Sequence, residues 1–170
     1  MKVFNMLALH TELDARRRAD GLSWVELAAV INRPFENTGS IPISPGTLRD
    51  MMKKQSVTSA VILQVLRWLK RTPESFLDGN SESSAAEECL PMAERHQILR
   101  FDTRALYEAV DCERRRRALT WQQVANELPG FTVAMLTNLA GGPLIGFPRV
   151  MLLTQWVNLP AATFVRACSR

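Results

Sequence analysis

Residues 9–77 and 106–165 are two copies of one pattern, and this repeat narrows the accessible folds more than any other feature of the chain. LHTELDARRRADGLSWVELAAVI begins at Leu9, and LYEAVDCERRRRALTWQQVANEL begins 97 positions later at Leu106. In that register Asp14 meets Asp111, Arg17 meets Arg114, Arg18 meets Arg115, Leu22 meets Leu119, Trp24 meets Trp121 and Ala28 meets Ala125. Farther on the offset becomes 88, where Ser44 meets Thr132, Leu48 meets Leu136, Trp68 meets Trp156 and Phe76 meets Phe164. The first copy therefore carries nine extra residues between Ile31 and Ser44. A chain of 170 residues has room for two such units, each near the lower limit for a self-sufficient core. The resulting division is a first domain at 1–77 with an enlarged turn at about 32–43, an acidic linker at 78–100 and a second domain at 101–170.

The periodicity within each copy predicts four to five short helices and an all-α fold. Leu9 and Leu13, matched by Leu106 and Val110, mark the buried face of a first helix that ends in an arginine run. Ser23 and Thr120 stand where a second helix opens, with Glu26 and Gln123 three residues on, as in a capping box. The second copy then turns tightly at Pro129 and Gly130, whereas the first expands into NRPFENTGSIPI. A third helix starts at Ser44 with Pro45 at its first position, and its counterpart starts at Thr132. Ile62, Val65 and Leu69, matched by Val150, Leu153 and Val157, give the apolar stripe of a fourth.

Charge follows the same division. Residues 1–77 hold 11 Lys/Arg against 7 Asp/Glu, residues 78–100 hold 2 against 5, and residues 101–170 hold 8 against 5. Two basic units joined by an acidic connector fit a polyanionic partner met by the units and not by the connector. Cys89, Cys112 and Cys168 form no CxxC pair, which suggests a reducing, cytoplasmic setting without a disulfide framework. With His10 and His96 the only histidines, a zinc cluster is not expected. No apolar run is long enough for a membrane span, so no membrane partner is expected. GGPLIG lacks the Lys-Ser/Thr ending of a phosphate-binding loop, and no Ser or Cys has a His partner in sequence context. An enzyme, a cofactor and a small-molecule ligand are therefore not expected.

Both copies resemble the lambda-repressor-like, XRE-type helix-turn-helix family. The second does so through ALTWQQVANELPGFTVAMLTNLAGGPLIGFPRVMLLTQWVNLPAATF. The first does so through GLSWVELAAVI and through ISPGTLRDMMKK followed by TSAVILQVLRWLKRTPESF. The resemblance implies a tandem pair of helix-turn-helix domains that bind double-stranded DNA, with the third helix of a unit in the major groove. It places Ser44, Gly46, Thr47, Arg49 and Asp50 at or near the bases, and Lys53 and Lys54 beside the backbone. Arg49 is the sharpest candidate, because a guanidinium can bond guanine O6 and N7 together; its plainer reading is a solvated charge paired with Asp50. In the second copy the corresponding positions are Thr132, Thr137 and Asn138. The basic runs Arg16, Arg17, Arg18 and Arg114, Arg115 are candidate phosphate contacts, or simply solvated helix ends.

The chain departs from the family in three places. Trp24 and Trp121 stand where the family has a phosphate-binding glutamine, and read either as indole donors or as packed aromatics. The nine-residue insertion reads either as a wing carrying Arg33 or as an inert loop. Helix three of the second copy, TVAMLTNLAGG, has no Lys or Arg and offers little to phosphate. The expected function is a DNA-binding transcriptional regulator acting by occupancy of its operator in the nucleoid. The alternative is an interaction module, antitoxin-like or a phage-defence adaptor, or a homodimer formed through the second domain, with only the first reading DNA.

Overall fold

The computed structural model describes residues 1–54, 57–79, 89–141 and 145–169. Residues 80–88, the middle of the expected acidic linker, lie outside the described residues. Among the described residues each repeat supplies four α-helices. The first has α1 (Met6–Ala19), α2 (Trp24–Asn32), α3 (Pro45–Arg49) and α4 (Ser59–Leu69); the second has α5 (Thr103–Arg116), α6 (Trp121–Glu127), α7 (Val133–Thr137) and α8 (Phe147–Trp156).

The all-α expectation is corrected. About 57% of the described residues are helical, and the chain also holds a two-stranded antiparallel sheet, β1 (Ile98–Phe101) against β2 (Val165–Cys168), which makes it a mixed α/β protein. Ile98 pairs with Cys168, Leu99 with Ala167, Arg100 with Arg166 and Phe101 with Val165. Four residues are too few for an alternating pattern to stand out, and Ile98 and Leu99 are both buried, so period two is absent from β1. The strands exist because the fold brings the two ends of a repeat together. Repeat one has the same feature cut to a single bridge, Phe4 against Leu77. Phe4 and Leu77 occupy the positions of Phe101 and Val165. Asn5 N–H donates to the Phe76 carbonyl at 2.8 Å, as Asp102 N–H donates to that of Phe164 at 2.7 Å.

Local signals repeat just as closely. Asn5 and Asp102 cap α1 and α5 by accepting from the N–H of Ala8 and Ala105. Ser23 with Glu26 and Thr120 with Gln123 form complete capping boxes on α2 and α6. Ser44 and Thr132 cap α3 and α7. Lys70 and Asn158 end α4 and α8 in the left-handed conformation, at φ 55° and 56°.

The two repeats share one continuous core. Phe4 meets the Phe147 ring edge-on at 5.0 Å, and Phe147 N–H donates to the Val57 carbonyl at 3.1 Å. The extended segment at the start of each repeat lies against the fourth helix of the other. Gln64 of α4 is buried and its amide nitrogen donates to the Leu99 carbonyl at 2.7 Å, while its oxygen accepts from Leu99 N–H at 3.4 Å. Gln155 of α8 does the same for Lys2, with both bonds at 2.8 Å. A side-chain amide thus satisfies the open edge of a strand. The two units form an intramolecular pseudo-dimer.

The nine-residue insertion belongs to this packing. Phe35 is buried, and both ends of the Asn32 side chain bond the Ile43 backbone at 2.9 Å, closing the loop. His96 N–H donates to the Pro34 carbonyl at 2.7 Å, and Arg100 donates to Ser40 Oγ at 3.1 Å. The loop is a bracket on the approach to β1.

Candidate nucleic-acid interface

Helix α3 has five residues, and its end is held from behind. His10 of α1 bonds the Arg49 carbonyl at 3.0 Å and stacks on Trp24 at 5.7 Å. Leu48 and Met51 are fully buried beneath it, so α3 cannot rotate without emptying the core. Ser44 Oγ is engaged as the cap of α3, accepting from Thr47 N–H at 3.1 Å and lying 2.9 Å from Thr47 Oγ1. Gly46 is partly exposed on the same surface.

The outer end of this surface is cationic around one carboxylate. Arg49 donates to Asp50 at 3.1 Å, and Lys53 lies 3.4 Å from the same carboxylate. The arginine and lysine side chains are 60% and 81% exposed, so both remain open to a ligand. The Arg49 guanidinium, and after it the Lys53 ammonium, holds the Asp50 carboxyl below its ordinary range, and Asp50 in turn raises Arg49. Lys54 donates to Thr47 Oγ1 at 3.4 Å and is exposed. Arg49, Lys53 and Lys54 against Asp50 leave this face with an excess of two positive charges.

The matching surface of repeat two is neutral. Thr132 is the cap of α7, and Thr137 Oγ1 donates back to the Val133 carbonyl at 3.0 Å. Asn138 is exposed at the C-cap. No lysine or arginine lies on α7.

The arginine runs are structural clasps first. Arg17 donates to Asp14 at 2.8 Å and to the Leu22 carbonyl at 2.7 Å, with its guanidinium 4.5 Å from the Trp24 ring centre. Arg114 repeats each contact on Asp111, Leu119 and Trp121, at 2.6, 2.9 and 4.8 Å. These arginine side chains are only 15% and 21% exposed. The Arg17 hydrogen bond, above all, holds the Asp14 carboxyl below its ordinary value. Arg18 and Arg115 reach the same two aspartates, and Arg16 reaches Asp20. Beyond them, Arg116 pairs with Glu113, and Arg117 with Glu127, which also accepts from the Trp156 indole at 2.8 Å. Trp24 and Trp121 are half-buried, each between a guanidinium and a second ring, His10 or Tyr107.

The geometry therefore brings Ser44, Gly46, Thr47, Arg49, Asp50, Lys53 and Lys54 onto one surface and commits Arg17 and Arg114 elsewhere. Sequence reasoning passed over His10 and Gln64. His10 left a usable signal, since its counterpart Tyr107 is also a ring one turn before the Asp-Arg clasp. Among the described residues no group of His, Cys, Asp or Glu is arranged to hold a metal ion, and no helix is long and apolar enough to cross a membrane. No protein-family model, no curated protein sequence and no solved structure matches this chain.

Proposed function

We propose that the protein is a sequence-specific DNA-binding regulator of the helix-turn-helix type, in which repeat one reads the bases and acts by occupying its site. The observation that carries this reading is the surface of α3. Two neighbouring helices hold it in place, it and the turn that follows project Arg49, Lys53 and Lys54, and together they have an excess of positive charge that α7 lacks. Exposed ion pairs such as Arg49–Asp50 are weak, so a phosphate or a guanine edge displaces them at little cost. The experiment is selection from a random duplex pool at near-physiological salt. Enrichment of one short half-site per chain is the expected result. Purely salt-sensitive binding without enrichment would remove the reading.

A second reading concerns repeat two. Its α7 surface is uncharged, and every arginine from 114 to 117 is matched by a carboxylate of the same repeat. Such a face suits a protein partner, a second copy of the chain included, better than phosphate. Light scattering on the free protein and on its DNA complex separates a monomer from a dimer built on this face.

A further inference from the structure

A trough of about 430 Å³ opens between α4, β1 and the segment around residues 89–93. Its size falls within the ~300–1,000 Å³ typical of ligand pockets. Leu66 and Leu99, both fully buried, form its floor with Leu90 and Ala93, and Arg67, Lys70 and Arg71 stand in its wall. Arg71 is matched by Glu12 at 2.8 Å and lies over the Phe76 ring. Arg67 donates only to neutral carbonyls, those of Gln97 at 2.7 Å, Ala93 at 3.0 Å and Glu94 at 3.4 Å. Among the described residues no carboxylate pairs with Arg67 or Lys70.

The internal repeat serves as a control. Repeat two has Gln155, Asn158 and Leu159 at the positions of Arg67, Lys70 and Arg71. Gln155 ties down the other repeat's entering segment with a neutral amide, as Gln64 ties down β1, so repeat two places no cation at the position of Arg67. Asn158 ends α8 in the same left-handed conformation in which Lys70 ends α4. The scaffold thus holds its strand edges with neutral amides, and burying part of a guanidinium with no counter-anion among the described residues is a cost that this job does not require. An apolar floor with surplus cations at its edge complements a molecule of opposite charge and like polarity.

We infer that this trough binds a small amphiphilic anion, its apolar body against Leu66, Leu90 and Leu99 and its carboxylate or phosphate head on Arg67 and Lys70. The inference stands apart from the DNA-binding reading and uses none of its residues.

Calorimetric titration of the full chain with octanoate, octyl phosphate and octanol tests it. The expected result is one saturable site for an anion, with octanol about tenfold weaker or worse, since the head group is held by charge-assisted hydrogen bonds. The tighter of the two anions identifies the head group. Arg67→Gln and Lys70→Asn copy residues that repeat two already carries, and each should weaken octanoate binding about tenfold; Lys70→Asn should leave the thermal midpoint in place, whereas Arg67→Gln also loses the bonds to Ala93 and Gln97 and should lower it. Octanol binding as tightly as octanoate would overturn the inference, as would wild-type affinity in both variants or saturation by none of the three probes. Anion binding that emerges only when Glu82, Glu87 and Glu88 are changed to Gln would also overturn it, because the chain's own acidic stretch would then be the occupant.

Discussion

The two third helices sit on equivalent scaffolds and present opposite surfaces. Beneath α3 and α7 the supports agree residue by residue: Ser44 and Thr132 cap them, Leu48 and Leu136 anchor them, and the Arg17 and Arg114 clasps fix the preceding turn. On the outside, α3 and the turn after it offer Arg49, Lys53 and Lys54, and α7 with its C-cap offers Ala134, Thr137 and Asn138. The difference teaches that the fold dictates the inner residues and leaves the outer ones open. The trough at Arg67 and the neutral patch at Gln155 give the same lesson on another face. At the caps, the core anchors and the clasps, where the repeats agree, a packing or hydrogen-bonding reason is visible; at Arg49 and Arg67, where they differ in charge, the fold does not require the charge.

The largest expected effect tests whether the repeats are one body. Phe147→Ala removes a fully buried ring that meets Phe4 across the two repeats, and should cost about 3–5 kcal/mol in a single cooperative transition. Two separated transitions in denaturant, already in the wild type, would mean that each repeat folds by itself.

Next come the clasps. Arg17→Ala and Arg114→Ala each break hydrogen bonds to a carboxylate and a carbonyl, and should each cost about 1–3 kcal/mol of stability, by similar amounts. If either variant keeps wild-type stability while losing DNA affinity, that arginine is a phosphate contact and the comparison fails at that point.

The surfaces should part company in binding. Arg49→Ala is expected to weaken a selected duplex by about 1–3 kcal/mol and to relax preference at one base pair, with stability unchanged. Thr137→Ala should leave binding unaltered. Equal losses in the two variants, measured by titration at fixed salt, would make both repeats readers.

A smaller effect lies in one turn. Gly21 and its counterpart Ala118 both have positive φ, 67° and 55°. Gly21→Ala should cost about 1–2 kcal/mol, because a Cβ is strained there. Ala118→Gly should change stability by less than that, the relief of strain being offset by chain entropy. A thermal melt of each variant decides.

The acid limb of stability is the last test. Asp14 has a folded pKa below its ordinary 3.8, so its contribution is complete above that value and fades as the pH falls through the depressed one. Stability should be level from neutral pH down to about 5 on this account. Asp14→Asn should flatten the loss seen below pH 4.

Much of the secondary structure was legible because its signals are local. A capping box needs four consecutive residues, and Ser23 with Glu26 or Thr120 with Gln123 carry all of it. The stripe Ile62, Val65, Leu69 needs one helix face. The repeat doubled each signal, so the α1–α2 and α5–α6 boundaries fell where the structure has them. The site was legible only in part. The positions on α3 follow from register, whereas the pairing of Arg49 with Asp50 and the engagement of Arg17 depend on where the side chains go.

By itself the sequence determined two copies of a unit of four to five short helices, their caps and the charge contrast between the third helices and the turns after them. These are properties of spacing and residue type, which a chain carries before it folds. Only the tertiary structure decided that the units fuse, that β1 meets β2 and that Gln64 closes a strand edge 35 residues away. It also decided that the inserted loop braces the other repeat and that Arg67 lines a trough. Each of these joins residues distant in sequence, and a strand edge or a buried amide finds its partner only when packing removes water as the alternative.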